Sequence, residues 1–164
     1  FVTRKITRGL ANIALGTAKC IHVGNLEAKR DWGHAKEYVQ MQWLMLQQSK
    51  PEDYVISTGI QKSVRDFIDI CTKYLGLSIK WVGSGKNEKC IVTKIKKNNP
   101  WSFKLNQVII KVDKRYFRPL EVDNLLGDST KARKKLGWKP KINIEQLVKE
   151  MIDNDIRETR KLIF

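Results

Sequence analysis

The sequence is short of cysteine, of acid and of catalytic signatures. Its three cysteines, Cys20, Cys71 and Cys90, form no CxxC pair and no metal-ligand spacing with His22 and His34. That excludes a zinc ribbon and a disulfide framework and points to reduced thiols in the cytoplasm. No apolar run approaches the roughly 18 residues of a membrane span, and no signal-peptide pattern opens the chain. No glycine-rich strand–turn–helix fingerprint is present. Gly83 and Gly85 stand in GSGKNE, with no apolar helical stripe behind them, and read as a turn. There is no Tyr-x-x-x-Lys helix either, since Tyr116 is followed four residues on by Leu120. His34 has no nucleophile or carboxylate dyad beside it and reads as a structural histidine near a helix start. No residue of this chain is therefore expected to be catalytic, to hold a metal or to bind a dinucleotide. The initiator methionine is missing too. A chain that opens on Phe1 inside an expected helix looks like a piece of something longer.

What is abundant is positive charge. Against 17 acids stand 32 lysines and arginines, a net charge of +15 and a pI near 9.9. A basic nucleic-acid-binding module is one reading, built from Lys86–Lys111 and Lys131–Lys141 with Trp101, Phe103 and Trp138 as stacking aromatics. No named nucleic-acid motif supports it, and Trp138 in LGWKP is better explained as packing beside a turn. The alternative is a solvated lysine-rich surface, or a broad field that attracts an anionic small molecule. The favoured expectation is no nucleic-acid and no membrane partner.

At 41% hydrophobic and 30% charged, the 164 residues suffice for one domain with a modest core. The spacing of Ile6, Leu10, Ile13 and Ala14 predicts a helix over Phe1–Leu15, stopped by Gly16. Cys20–Asn25, Asp53–Thr58, Ile79–Gly83 and Val108–Asp113 read as strands. A second helix is expected from His34 or Ala35, with Ala35, Tyr38, Val39, Trp43 and Leu46 as its core stripe. Ser63 and Asp66 form a capping box for a third, in which Cys71 is a small core residue, and Gly76 closes it. The basic stretch from Lys86 to Asn106 reads as a long loop or irregular insert. Thr130–Leu136 is a short helix, and Asn143 caps a last one with Ile144, Leu147, Val148, Met151, Ile152 and Ile156 inward. Helices and short strands interleave, so the expected class is α/β or α+β.

Three clusters invite a ligand. In Arg30-Asp31-Trp32 the guanidinium fork matches phosphate oxygens and a helix N-terminus follows; the plain alternative is an arginine paired with Glu27 or Asp31. In Arg118-Pro119-Leu120-Glu121 the proline fixes a turn that holds a phosphate-binding cation and a ribose-binding carboxylate at a set angle; a helix N-terminus with proline in its first turn would look the same. In Val2-Thr3-Arg4-Lys5 the lysine would either reach a base carbonyl or be solvated.

FVTRKITRGLANIALG, RDWGHAKEYVQMQWLMLQ, PEDYVISTG, SVRDF, RYFRPLEVD and LGDSTKARKKLGWKP together resemble the GDP-mannose 4,6-dehydratase family of extended short-chain dehydrogenases/reductases. The likeness runs in order over nearly the whole chain, with Lys86–Gln107 the least family-like part. It implies a two-part enzyme: an N-terminal Rossmann domain that binds NADP and carries the catalytic Thr, Glu, Tyr and Lys, and a smaller C-terminal part that binds GDP-mannose. Residues 1–164 match only the second, so the fold implied is an α/β substrate-binding portion without its Rossmann domain, with strands or apolar faces lacking their cover. The resemblance puts Lys5 at the guanine, Val2 in the wall of the guanine pocket, Arg30 at the diphosphate, Arg118 near phosphate and Glu121 on the ribose. It further implies a cytoplasmic lyase that forms GDP-4-keto-6-deoxymannose on the path to GDP-fucose and related deoxysugars, as a dimer or tetramer.

Overall fold

The computed structural model describes residues 1–116, 122 and 124–163; Arg118 and Glu121 lie outside them. Helix α1 (Val2–Ala14) buries the expected stripe of Ile6, Leu10, Ile13 and Ala14. Strands β1 (Ile21–Val23) and β2 (Lys29–Asp31) follow, then α2 (Ala35–Leu46), β3 (Gln61–Ser63) and α3 (Val64–Tyr74). Next come β4 (Leu77–Val82), β5 (Lys89–Ile95), β6 (Val108–Val112), α4 (Thr130–Leu136) and α5 (Ile144–Ile163). The main sheet runs β1-β6-β5-β4, with β1 parallel to β6 and the other neighbours antiparallel. Strands β2 and β3 form a separate antiparallel pair. Helices α1, α3 and α5 pack together, α1 also on β1 and α3 on β4, and the main core lies between these helices and the sheet.

Local chemistry sets the boundaries. The Ser63 hydroxyl accepts from Asp66 N–H while Asp66 accepts from Ser63 N–H, completing the capping box of α3. Asn143 and Gln146 exchange the same reciprocal bonds at α5. Cys71 is fully buried, and burial pushes its thiol well above the ordinary value. Gly83 and Gly85 do lie in the β4–β5 turn.

Three expectations fail for identifiable reasons. The basic stretch is not a loop. It contains β5, a central strand whose Cys90 and Val92 are buried, with Lys89 before them and Thr93 and Lys94 after them breaking the apolar run. Asp53–Thr58 forms no strand: among the described residues no hydrogen bond reaches the main chain of Tyr54, Val55 or Ile56, and Tyr54 and Ile56 pack on the core of Met41, Ala132 and Trp138. Most of the apolar stripe expected to bury α2 faces outward: Val39, Trp43 and Leu46 are 61%, 59% and 81% exposed, while Tyr38 of that stripe packs against Trp138. The opposite face is held instead. Met41 packs with Ala132 and Trp138 in a second small core. Buried Glu37 accepts main-chain N–H bonds from Lys141 (2.6 Å) and Ile142 (3.2 Å), and its carbonyl accepts from Trp138 Nε1 at 3.2 Å.

The α1–α5 contact carries a polar tether. Asp155 is buried and accepts from the Thr7 hydroxyl at 2.7 Å, with Arg4 Nε 2.9 Å from its other oxygen. Asp155→Ala removes that bond and that ion pair while Arg4, half exposed, regains water. A loss of about 2–3 kcal/mol in urea unfolding is expected; a loss below about 0.5 kcal/mol would contradict the tether. A second expectation concerns pH. The main-chain bond from Ser63 holds the Asp66 carboxyl below its ordinary value. A carboxylate lowered by folding contributes stability that is complete above the unfolded value, about 3.9, and is lost as pH falls through the lower folded one. Acid unfolding of Asp66→Asn should therefore lack part of the stability loss that the unaltered chain shows below about pH 4.

Candidate nucleotide site

Where β1 ends, a cavity of about 710 Å³ opens. The first turn of α1 supplies Val2 and Lys5, three residues apart and so on one face. Strand β2 supplies Arg30, and Trp32 follows it. The turn beyond β6 supplies Arg115 and Tyr116. The structure thus gathers Val2, Lys5 and Arg30 around one space, although the sequence separates them widely. Arg118 and Glu121 lie outside the described residues, a few positions beyond Tyr116.

Close packing places these groups. A Cβ added to Gly9 would come 2.3 Å from Ile21 Cγ2, so glycine lets α1 lie directly on β1. A Cβ on Gly24 would come 2.3 Å from the Tyr116 carbonyl oxygen, so glycine there lets the segment after β6 close over the end of β1. Asp113 N–H donates to the Val23 carbonyl at 2.9 Å and extends the parallel ladder to this point.

The lining is electropositive. Among its described residues are Lys5, Arg30 and Arg115 and no carboxylate. Arg115 pairs with Asp113 just outside, which pulls that carboxyl down to about 2 and raises the guanidinium. Lys5 Nζ sits 3.0 Å from the Tyr116 ring centroid. Arg30 Nη1 donates to the carbonyls of Lys29 (2.8 Å) and Val122 (2.6 Å). Its neighbours are engaged elsewhere: Asp31 accepts from Thr58 N–H (2.9 Å), the Thr58 hydroxyl (2.5 Å) and Gly59 N–H (2.8 Å), and Glu27 pairs with Arg65. Trp32 leans on Phe67, with ring centroids 5.0 Å apart, and anchors the strand to the core.

His34 is structural as expected. It caps α2, its Nδ1 accepting from Lys36 N–H at 3.2 Å and its Nε2 3.1 Å from Glu150. A second cavity of about 500 Å³ shares Arg30 and Trp32 and continues past Thr58, Arg133 and Lys139. The aromatics of the nucleic-acid reading turn inward: Phe103 and Trp138 are 7% and 3% exposed, and Trp101 is half-buried. Among the described residues no cluster of His, Cys, Asp or Glu could hold a metal ion, and no helix is long and apolar enough to cross a membrane.

Sequence reasoning missed Gly24 and Tyr116. The signal for the first was a glycine directly behind a three-residue strand; Tyr116 stood two positions before the Arg-Pro pair.

The family model described as GDP-mannose 4,6 dehydratase matches residues 1–151. The GDP-mannose 4,6-dehydratase of Vibrio cholerae is 53% identical over 161 residues, covering 98% of this chain and 43% of its own length. The human GDP-mannose 4,6 dehydratase is 48% identical over 162 residues, covering 98% and 40%. The chain therefore spans about two-fifths of the length of these curated relatives. Among solved structures, RMD from Pseudomonas aeruginosa complexed with NADPH superposes with a TM-score of 0.70 at 18% identity, covering 96% of this chain and 43% of that one. A UDP-glucose-4-epimerase from Stenotrophomonas maltophila gives 0.65 at 14%, covering 95% and 40%. At such identities these two structures establish the fold alone. The family match, by contrast, rests on half-identical sequence along the whole chain, and the chain belongs to the GDP-mannose 4,6-dehydratase family.

Proposed function

We propose that this chain is the substrate-holding, C-terminal portion of a GDP-mannose 4,6-dehydratase, and that the cavity at the end of β1 takes the GDP moiety of GDP-mannose. The observation that carries the reading is the convergence of Val2, Lys5 and Arg30 on one cavity whose described lining carries no carboxylate. Lys5 donates to the guanine O6, Val2 walls the base, and Arg30 meets the diphosphate with charge-assisted hydrogen bonds. Arg118 adds a second cation near phosphate, and Glu121 accepts from the ribose hydroxyls. The cavity's own positive field attracts the diphosphate before any specific contact forms.

NADP, when bound to the whole protein, supplies the hydride acceptor and donor. The residues present here do not fit it: the glycines of GSGKNE lie in a strand–strand turn, and no step through the cofactor is assigned to this chain. What this chain supplies is binding and orientation of the sugar nucleotide. Val39, Trp43 and Leu46 of α2 and the neighbouring Val55 are exposed apolar residues, and the rest of the whole protein packs there. That protein is a cytoplasmic lyase and a homo-oligomer, a dimer or tetramer, whose product feeds GDP-fucose and related deoxysugars. The 164 residues alone bind GDP and turn nothing over.

Arg30→Ala should weaken GDP binding by about 1.5–3 kcal/mol in calorimetric titration, the range for a lost charge-assisted hydrogen bond. An unchanged dissociation constant in a variant of unchanged melting temperature would remove Arg30 from the site. In the same preparation, GDP-mannose and NADP should give no 4-keto product; turnover by the 164-residue chain would overturn the assignment of the chemistry to another part of the protein.

A further inference from the structure

Tyr116 is held from two sides. Its N–H donates to the Asp113 carbonyl at 3.1 Å, and its own carbonyl fills the place a Cβ on Gly24 would take. The Tyr116 backbone thus lies against the end of β1. That ring lines the cavity, is half exposed, and lies 3.0 Å beneath the Lys5 ammonium. A ring face attracts a cation through its quadrupole and uses no lone pair to do so. Lysine has a flexible four-carbon stem and three rotatable donors, so unrestrained it spends little time in any one position. Over the ring it is restrained, while N–H groups turned away from the ring remain free to donate into the cavity.

We infer that Tyr116 is a positioning and base-selecting residue. Its ring holds the Lys5 ammonium over the cavity and presents it to a carbonyl of a bound purine, so that preference for a 6-oxopurine over a 6-aminopurine depends on Tyr116 as well as on Lys5. A 6-amino group is itself a donor and offers the ammonium nothing to bond. This rests on the reading that the cavity holds GDP.

The test is titration of the 164-residue chain with GDP and with ADP at one ionic strength, for the unaltered chain and for Tyr116→Phe, Tyr116→Leu, Lys5→Ala and the Lys5→Ala/Tyr116→Leu double variant. Tyr116→Phe keeps the ring and should keep the GDP-to-ADP affinity ratio within about twofold. Tyr116→Leu should lower the ratio roughly three- to tenfold, through weaker GDP binding. The double variant should lose no more selectivity than Lys5→Ala alone, because the ring acts through the lysine. A merely structural tyrosine would weaken both nucleotides together and add to Lys5→Ala, and that result overturns the proposal. So does tighter GDP binding by Tyr116→Leu, which would make the ring a plug. If Tyr116→Leu fails to fold, 3,4,5-trifluorophenylalanine at position 116 keeps the ring's shape and weakens its hold on a cation; an unchanged ratio then overturns the proposal. An unaltered chain that binds neither nucleotide overturns the reading of the cavity, and this inference with it. One that binds GDP while Tyr116→Leu keeps its ratio overturns this inference alone.

Discussion

The arrangement of the site depends on how closely helix α1 lies on strand β1. Gly9 removes the one side chain that would hold them apart. From the other side Asp155 on α5 ties down the first turns of α1 through Thr7 and Arg4. Lys5 lies between Arg4 and Thr7 in sequence, and its own N–H donates to the Phe1 carbonyl at 3.2 Å, so the anchoring of α1 also places the Lys5 backbone. The same logic operates at the far wall, where Gly24 admits the Tyr116 carbonyl. Two close approaches made possible by glycine thus bring an α-helix, a strand end and a post-strand turn together around one cavity.

The helices were the legible part of the fold, because α1, α3 and α5 are amphipathic and α3 and α5 open on reciprocal caps. The stripes of α1, α3 and α5 and the Ser63–Asp66 box needed only periodicity and capping chemistry. What was not legible depends on partners distant in sequence. In α2 the apolar residues Val39, Trp43 and Leu46 carry the stronger helical pattern. The helix is nevertheless turned the other way, because buried Glu37 meets the main chain at Lys141 and Ile142, and no periodicity rule expects a carboxylate to point inward. Asp53–Thr58 has the composition of a strand but pairs with no strand among the described residues. In β5 the lysines hid a central strand behind what looked like an irregular insert. The site was legible chiefly through the resemblance: residue type alone left Lys5 and Arg30 open to a plain surface reading. Their convergence on one cavity is a fact of the fold.

The distribution of charge separates two roles. Acids at the margins are paired: Glu52 lies between Lys131 and Lys135, which hold its carboxyl down at about 2. Arg65 bridges Glu27 and Glu88 and stacks on Trp81 at 4.7 Å, joining the β2–β3 pair to the main sheet. Among the described residues that line the cavity are Lys5, Arg30 and Arg115 and no carboxylate, with Asp113, the partner of Arg115, just outside. A uniformly basic sequence thus becomes a folded chain in which acids brace the frame, and the concave space is left positive for an anion.

The most direct test of the account is where GDP sits. A crystal structure of this chain grown with GDP should show the guanine carbonyl within hydrogen-bond reach of Lys5 Nζ, about 2.7–3.2 Å, and the diphosphate against Arg30. GDP seated instead beside Arg133 and Lys139, or spread over the lysine-bearing outer surface of the sheet, would contradict it.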